Sequence, residues 1–362
     1  MTLDLTKLKL QLLMKGVISK TEIDKGRKSG AGPTGGRYFL LENGSCINIP
    51  LWPHFTKNSQ FQIEKKEDQE NIYNLYEGNN YITTLKLIPK PKFYDLYTSD
   101  KIQMKKIAML HGKDCLASTI YQKCIYWSQG KACIFCGIEL SLQSNTTILK
   151  KTGRQLSEVL DASLKEGICK HMTLTTGTPN VSDKGAKMYF PILKELKKNF
   201  SIPIHIQLEP PNDKEYIDQL YSCGADTIGI HSETLDPTLF PQICPGKSEI
   251  GLQKYRESWS HCVDVFGKSQ VSSYLLIWPE ESLSSIQNGA QYLIELGVIP
   301  YIVPVRPVLN TNIEHQQVEY TNTIYQLYKA VKNSIKQNGL DPLKNKAGCV
   351  RCGACSIISD AL

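Results

Sequence analysis

Apolar positions along the 362-residue chain fall into two regimes. At the start, Leu5, Leu8, Leu12 and Leu13 share one side of a predicted helix that lysines interrupt every few residues. A glycine-dense loop follows, Ser29-Gly30-Ala31-Gly32-Pro33-Thr34-Gly35-Gly36. Arg37–Leu41, Asn43-Gly44 and Cys46–Leu51 then read as strand, turn and strand, because Asn-Gly readily adopts the positive φ of a tight hairpin. Asn71–Tyr76 and Tyr81–Ile88, joined by Gly78-Asn79-Asn80, predict a second hairpin. Residues to about 90 therefore read as a small β-rich unit, closed by the stiff Pro89-Lys90-Pro91.

From about residue 112 short apolar strands alternate with helices. Strands are predicted at Leu116–Tyr121, His171–Thr176, Ile204–Glu209, Thr227–His231, Gln270–Ile277 and Tyr301–Val305. Helices are predicted at Leu156–Glu166, Lys184–Asn199, Asp213–Cys223, Glu249–Phe266, Ser284–Leu296 and Glu314–Lys336. This alternation implies a parallel sheet with right-handed crossovers. A doubly wound sheet and an incomplete barrel both satisfy it; in a barrel, function sits at the carboxyl ends of the strands.

Composition narrows the class. No apolar run reaches the length of a membrane helix, and the N-terminus lacks the continuous apolar stretch of a signal peptide, so a cytoplasmic protein with no membrane partner is expected. Twelve cysteines in such a chain point to thiols and metal ligands rather than disulfides. The net charge of +7 comes from lysines spread along the chain, which reads as a solvated basic surface; nucleic acid is not expected as a partner.

Two cysteine constellations carry the chemistry. Cys124, Cys133 and Cys136 lie in one loop after a predicted strand, with Phe135 just before the last of them. Three thiolates can bind three irons of a [4Fe–4S] cubane and leave the fourth iron open. A zinc site completed by a histidine such as His111 is the competing reading. Cys349, Cys352 and Cys355 form a second, compact set at the C-terminus, suited to a second cubane or again to zinc, with a fourth ligand drawn from Ser356, Cys244 or Cys46. Thr175-Thr176-Gly177-Thr178 ends the second predicted barrel strand, where small residues could expose backbone groups to a ligand.

With these motifs, residues 112 to 310 resemble the radical S-adenosylmethionine (SAM) superfamily, in particular the branch of biotin synthase and lipoyl synthase. The resemblance rests on the cysteine loop, on Thr175–Thr178 in the place of a Gly-Gly-Glu-type motif, and on Gly229-Ile230-His231-Ser232-Glu233-Thr234. It departs in the loop, where eight residues rather than three separate Cys124 from Cys133; Cys115, more readily read as a buried cysteine at a strand start, is the fallback ligand. By the resemblance, Ser232 and Glu233 face the SAM ribose, Arg256 pairs with the SAM carboxylate, and Glu209 reaches SAM or substrate. From the residues alone, Glu233 and Arg256 equally suit a structural ion pair, Glu209 a helix cap, and His231 a satisfied core histidine. Short motifs, Gly30–Pro33 and Cys352–Ser356, are similar to those of a radical SAM subgroup found beside nitrilase genes.

The fold expected is α/β: a partial (β/α)6 TIM-like barrel at 111–310, a β-rich N-terminal domain at 1–110, and a helical C-terminal extension at 311–362 carrying the second cluster. The resemblance implies two [4Fe–4S] clusters and SAM as cofactors, a ferredoxin or flavodoxin as electron donor, and a small-molecule substrate, with sulfur insertion as one outcome. The rivals are an iron–sulfur protein that moves electrons or senses redox state without catalysis, a zinc-dependent barrel hydrolase, and an enzyme that modifies tRNA.

Overall fold

The computed structural model describes residues 3–28, 30 and 35–360; Ser29 and Ala31–Thr34 of the glycine-dense loop lie outside the described residues. The first helix, Leu5–Lys15, is capped by Asp4, whose carboxylate accepts from the Lys7 N–H at 2.9 Å. Its buried side holds Leu8, Leu12 and Leu13. Six strands follow: β1 (Ile18–Ser19), β2 (Gly36–Leu40), β3 (Cys46–Pro50), β4 (Phe61–Lys65), β5 (Ile72–Glu77) and β6 (Asn80–Leu87). They form one sheet in the order β1-β4-β5-β6-β2-β3. Both predicted hairpins form, with Phe39 opposite Ile47 and Tyr73 opposite Leu85. β4 went unread because it offers only two buried apolar positions, Phe61 and Ile63, before a charged run.

A second sheet runs through β7 (Met109–His111), β8 (Cys115–Thr119), β9 (His171–Thr175), β10 (Ile204–Gln207), β11 (Thr227–Gly229), β12 (Val271–Ile277) and β13 (Ile299–Pro304). Its spatial order is the sequence order, β7 to β13, and all pairs from β8 onward are parallel. A doubly wound sheet needs a reversal of strand order; none occurs here, so successive right-handed crossovers put every helix on one face and curl the sheet. No pairing joins β13 to β7 among the described residues, so the half-barrel is open. β7 pairs antiparallel with β8 and adds an edge strand that periodicity did not reveal. The helices Gly153–Lys165, Ala186–Asn199, Glu215–Ser222, Leu252–Phe266 and Leu283–Glu295 follow their strands in turn. Thr152 opens the first with a capping box to Gln155.

The last long helix begins at Asn322, capped by Thr321, rather than at the expected 314. The chain then crosses the amino ends of the barrel strands one after another. Asn345 Nδ2 donates to the Ser269 carbonyl (2.7 Å), Thr227 Oγ1 to the Ala347 carbonyl (3.2 Å), and the Gly348 N–H to His171 Nδ1 (3.2 Å). The tail thus closes the floor of the barrel. Five lysines depart from the expected solvated surface: Lys9, Lys151, Lys184 and Lys332 are buried, and Lys247 nearly so. Lys9 pairs with Asp360 at 2.8 Å and donates to the Gly353 carbonyl, joining the first helix to the tail. No helix among the described residues is long and apolar enough to cross a membrane.

Candidate functional site

Cys124 stands just beyond the carboxyl end of β8 and opens a single helical turn, Ile125–Ser128. The Ile125 N–H donates to the Thr178 carbonyl at 2.9 Å, anchoring this loop on the end of β9. The Cys136 N–H donates to the Cys133 carbonyl, a turn that brings these two cysteines together, and the Ile134 N–H docks on the Ile243 carbonyl. That second anchor places the Cys133 thiol against Cys244. Burial raises the thiol pKa of Cys124 and Cys136, and Cys133 lies close enough to both to add to it. Burial, reinforced by these neighbours, pushes Cys136 up to about 12. Such thiols become thiolates only beside a compensating positive charge, which an iron–sulfur cluster supplies.

Charged groups crowd the same strand ends. Lys247 Nζ meets Glu233 Oε1 at 2.7 Å and the His231 carbonyl at 3.0 Å. Burial opposes its charge, but Glu233 and Cys133 hold its pKa well above the usual value. Glu233 adopts φ +71°, a left-handed conformation that a glutamate rarely takes, and its backbone bridges to β12 at Leu275. Glu209 lies buried beyond β10, accepting from the Tyr126 hydroxyl at 3.1 Å with Lys184 Nζ at 3.8 Å. It caps no helix. Around these groups the Trp278 indole N–H and the Tyr255 hydroxyl are buried without a hydrogen-bond partner among the described residues, while the Trp127 indole N–H faces the Cys136 thiol. Phe135 packs 5.9 Å from Trp278. Buried polar atoms without partners at strand ends suit a polar ligand.

Several expectations change. Arg256 lies exposed on the outer side of its helix, its guanidinium 5.9 Å from the Tyr292 ring, away from Glu233. The cation that meets Glu233 is Lys247, from the short turn Pro245–Ser248, which no periodicity marks. Gly177 spends its N–H on the Tyr121 carbonyl, and a Cβ there would lie 2.2 Å from the Lys123 carbonyl oxygen. Thr175–Thr178 therefore seats the cysteine loop instead of offering that N–H to a ligand; Thr175 meets Thr119, and Thr176 bonds to the Gly177 carbonyl. Ser232 is fully buried against Ser273. His231 accepts the Tyr274 N–H on Nδ1 but has no partner on Nε2.

The second constellation sits at the floor of the barrel. Cys349 Sγ accepts from the Tyr274 hydroxyl at 2.7 Å and Gln207 Nε2 at 3.7 Å. Burial pushes its thiol up to about 11. Cys115, the fallback ligand for the first set, begins β8 and belongs here, beside Cys352 and Cys349. Ser356 is committed to the Ile302 carbonyl and Cys244 to the first set, which leaves Cys46 of the three suggested fourth ligands. Tyr274 stacks on His231 at 4.0 Å, so these two rings stand between Cys349 and the Lys247 site. Among the described residues no three His, Cys, Asp or Glu side chains are gathered closely enough to share one metal ion. Thiolates on a cubane bind separate irons and stand farther apart than ligands around one zinc.

No family model and no curated protein matches the chain. Solved structures with a similar course include methylornithine synthase (PylB), at 14% identity and TM-score 0.46, over 60% of this chain and 63% of that one. SuiB from Streptococcus suis, bound to S-adenosylmethionine, is similar at 15% identity and TM-score 0.46, over 63% and 49%. Coproporphyrinogen III oxidase (HemN) from Escherichia coli, described as a radical SAM enzyme, is similar at 15% identity and TM-score 0.41, over 63% and 53%. The likeness spans less than two thirds of each of these proteins and assigns neither activity nor substrate.

Proposed function

We propose that this chain is a radical SAM enzyme with two iron–sulfur clusters. The observation that carries the reading is the placement of Cys124, Cys133 and Cys136 at the carboxyl ends of a sequentially ordered, open parallel barrel, beside the buried Glu233–Lys247 pair. Cys124, Cys133 and Cys136 would hold a [4Fe–4S] cluster there, which would supply one-electron reductive cleavage of SAM and so radical hydrogen abstraction from a small-molecule substrate.

The chain's own residues bind and orient. Cys124, Cys133 and Cys136 would hold the cluster by three thiolates, one fewer than its irons, so that SAM could bind beside them. Lys247 supplies the cation for the carboxylate in place of Arg256, and Glu233 accepts from a ribose hydroxyl. Trp278 and Tyr255 offer unpaired donors to the ligand, Trp127 supports the Cys136 sulfur, and Phe135 and Trp278 exclude water. The Tyr126–Glu209–Lys184 group lies at the next strand end, suited to hold substrate.

The C-terminal triplet would hold the second [4Fe–4S] cluster, and Tyr274, stacked on His231, gives it a contact path toward Lys247. Membership of the biotin and lipoyl synthase branch, likeness to the nitrilase-associated subgroup, sulfur insertion as the outcome, a cytoplasmic location and a ferredoxin or flavodoxin donor complete the reading.

A second reading has one observation in its favour: Cys244 touches Cys133, so a fourth thiol is at hand for the first cluster. A cluster with four thiolates would move electrons without cleaving SAM. Anaerobic reconstitution followed by dithionite and SAM separates the two. About eight irons with 5′-deoxyadenosine formed supports the enzyme; iron without SAM cleavage supports electron transfer, and zinc in place of iron sinks both.

A further inference from the structure

We infer that Cys46, on the N-terminal sheet, is the fourth ligand of the C-terminal cluster, so that no iron of that cluster is left open. The inference rests on the two-cluster reading above. Cys349, Cys352 and Cys355 come from one short stretch, and a cubane held by them alone would present one unligated iron. Two further thiols approach the set, Cys46 from β3 and Cys115 from β8.

Geometry favours Cys46. Gly112, in the β7–β8 turn, has φ +61°, and a Cβ built there would lie 2.5 Å from Cys352 Sγ and 3.7 Å from Cys46 Sγ. The two sulfurs therefore lie no farther apart than the sum of those distances, facing one recess that only a glycine leaves clear. β3 is stitched to the tail at this level. The Asn48 N–H donates to the Ala354 carbonyl at 2.8 Å, while Arg306 donates to the Asn48 side-chain oxygen at 2.6 Å and to its carbonyl at 2.9 Å. Asn48 lies two residues along the strand from Cys46, hence on the same face of the sheet. The Cys46 thiol makes no hydrogen bond to another described residue, whereas Cys115 Sγ is already engaged with Thr173 Oγ1 at 3.2 Å.

On assembly the Cys46 thiol gives up its proton, and its sulfur takes the remaining position on the fourth iron. The cluster then joins the N-terminal sheet to the tail and has no site for substrate. Its role is then to relay electrons, to hold the domains together or to give up sulfur, not to anchor substrate on an open iron.

The test uses the 362-residue chain carrying Cys124→Ala, Cys133→Ala and Cys136→Ala, reconstituted anaerobically, so that iron reports on the C-terminal set. Imidazole serves as the probe for an open iron, read by the electron paramagnetic resonance spectrum of the reduced protein. About four irons per chain and a spectrum blind to imidazole are expected. Adding Cys46→Ala should lower the count to about three irons or make the spectrum respond to imidazole, and Cys115→Ser should do neither. A parent spectrum that shifts with imidazole overturns the inference without any change at Cys46 and leaves the two-cluster reading standing. So does a Cys46→Ala protein that keeps four irons blind to imidazole, or a Cys115→Ser protein that takes over the effect. A parent that binds no iron removes the C-terminal cluster itself, and the inference with it.

Discussion

Lys247 Nζ lies 2.7 Å from Glu233 Oε1, and this ion pair is largely sealed from water beside Cys133. A strained glutamate backbone and a lysine from a single helical turn are brought together across 14 residues. Removing one partner leaves a buried charge alone, which costs about 3–5 kcal/mol. Lys247→Met should therefore lower the urea midpoint sharply and weaken SAM binding to the reconstituted protein. The double variant Glu233→Gln/Lys247→Met should recover most of the stability but not the binding. A double variant no more stable than Lys247→Met would show that the two charges are uncoupled.

Arg256→Ala should behave differently. Its guanidinium is exposed and contacts only the Tyr292 ring among the described residues, so the change in stability should stay within about 0.5 kcal/mol. SAM affinity, measured by calorimetry on reconstituted protein, should not move. A large loss of affinity would return the carboxylate-binding role to Arg256.

Cys133 and Cys244 touch, yet only Cys133 is a ligand in the radical reading. Cys133→Ala should abolish 5′-deoxyadenosine formation, while Cys244→Ala should leave both the iron content and the product yield unchanged. If Cys244→Ala loses iron or alters the spectrum of the first cluster, the four-thiolate electron carrier is the better description.

Stability should fall as the pH drops from about 6.5 to 5.5. Burial holds His111 and His205 down to about 3 and His231 well below its usual value. An unfolded chain takes up protons on these rings near pH 6.5, and the folded one does not. The unfolded state then binds more protons, so the contribution is present above pH 6.5 and is lost as the pH falls toward the folded values. Each histidine should cost about 1.4 kcal/mol at pH 5.5. Urea titrations at pH 7.5, 6.5 and 5.5 would measure this slope, and His205→Gln should remove roughly one histidine's share of it. An unchanged slope in that variant would place the pH dependence elsewhere.

The alternation of strand and helix from residue 112 onward was legible because burial on one helix face and on both sheet faces writes its own period into the chain. Hairpins at Asn43-Gly44 and Gly78-Asn79-Asn80 were legible because turn geometry demands particular residues. β7 was not: three residues, Met109–His111, carry no period and pair only because Gly112 turns them back on β8.

The candidate site divides in the same way. Local spacing in the sequence determined the two cysteine sets, since ligands on one loop must lie close in sequence to bind neighbouring irons. Which charges face them was decided by the tertiary structure alone. Lys247 reaches Glu233 through the Pro245–Ser248 turn, and Cys46 arrives from a different sheet. Spacing along a chain records only interactions within a turn or a strand. Contacts between distant segments depend on the order in which strands lie side by side, and the sequence carries no period for that order.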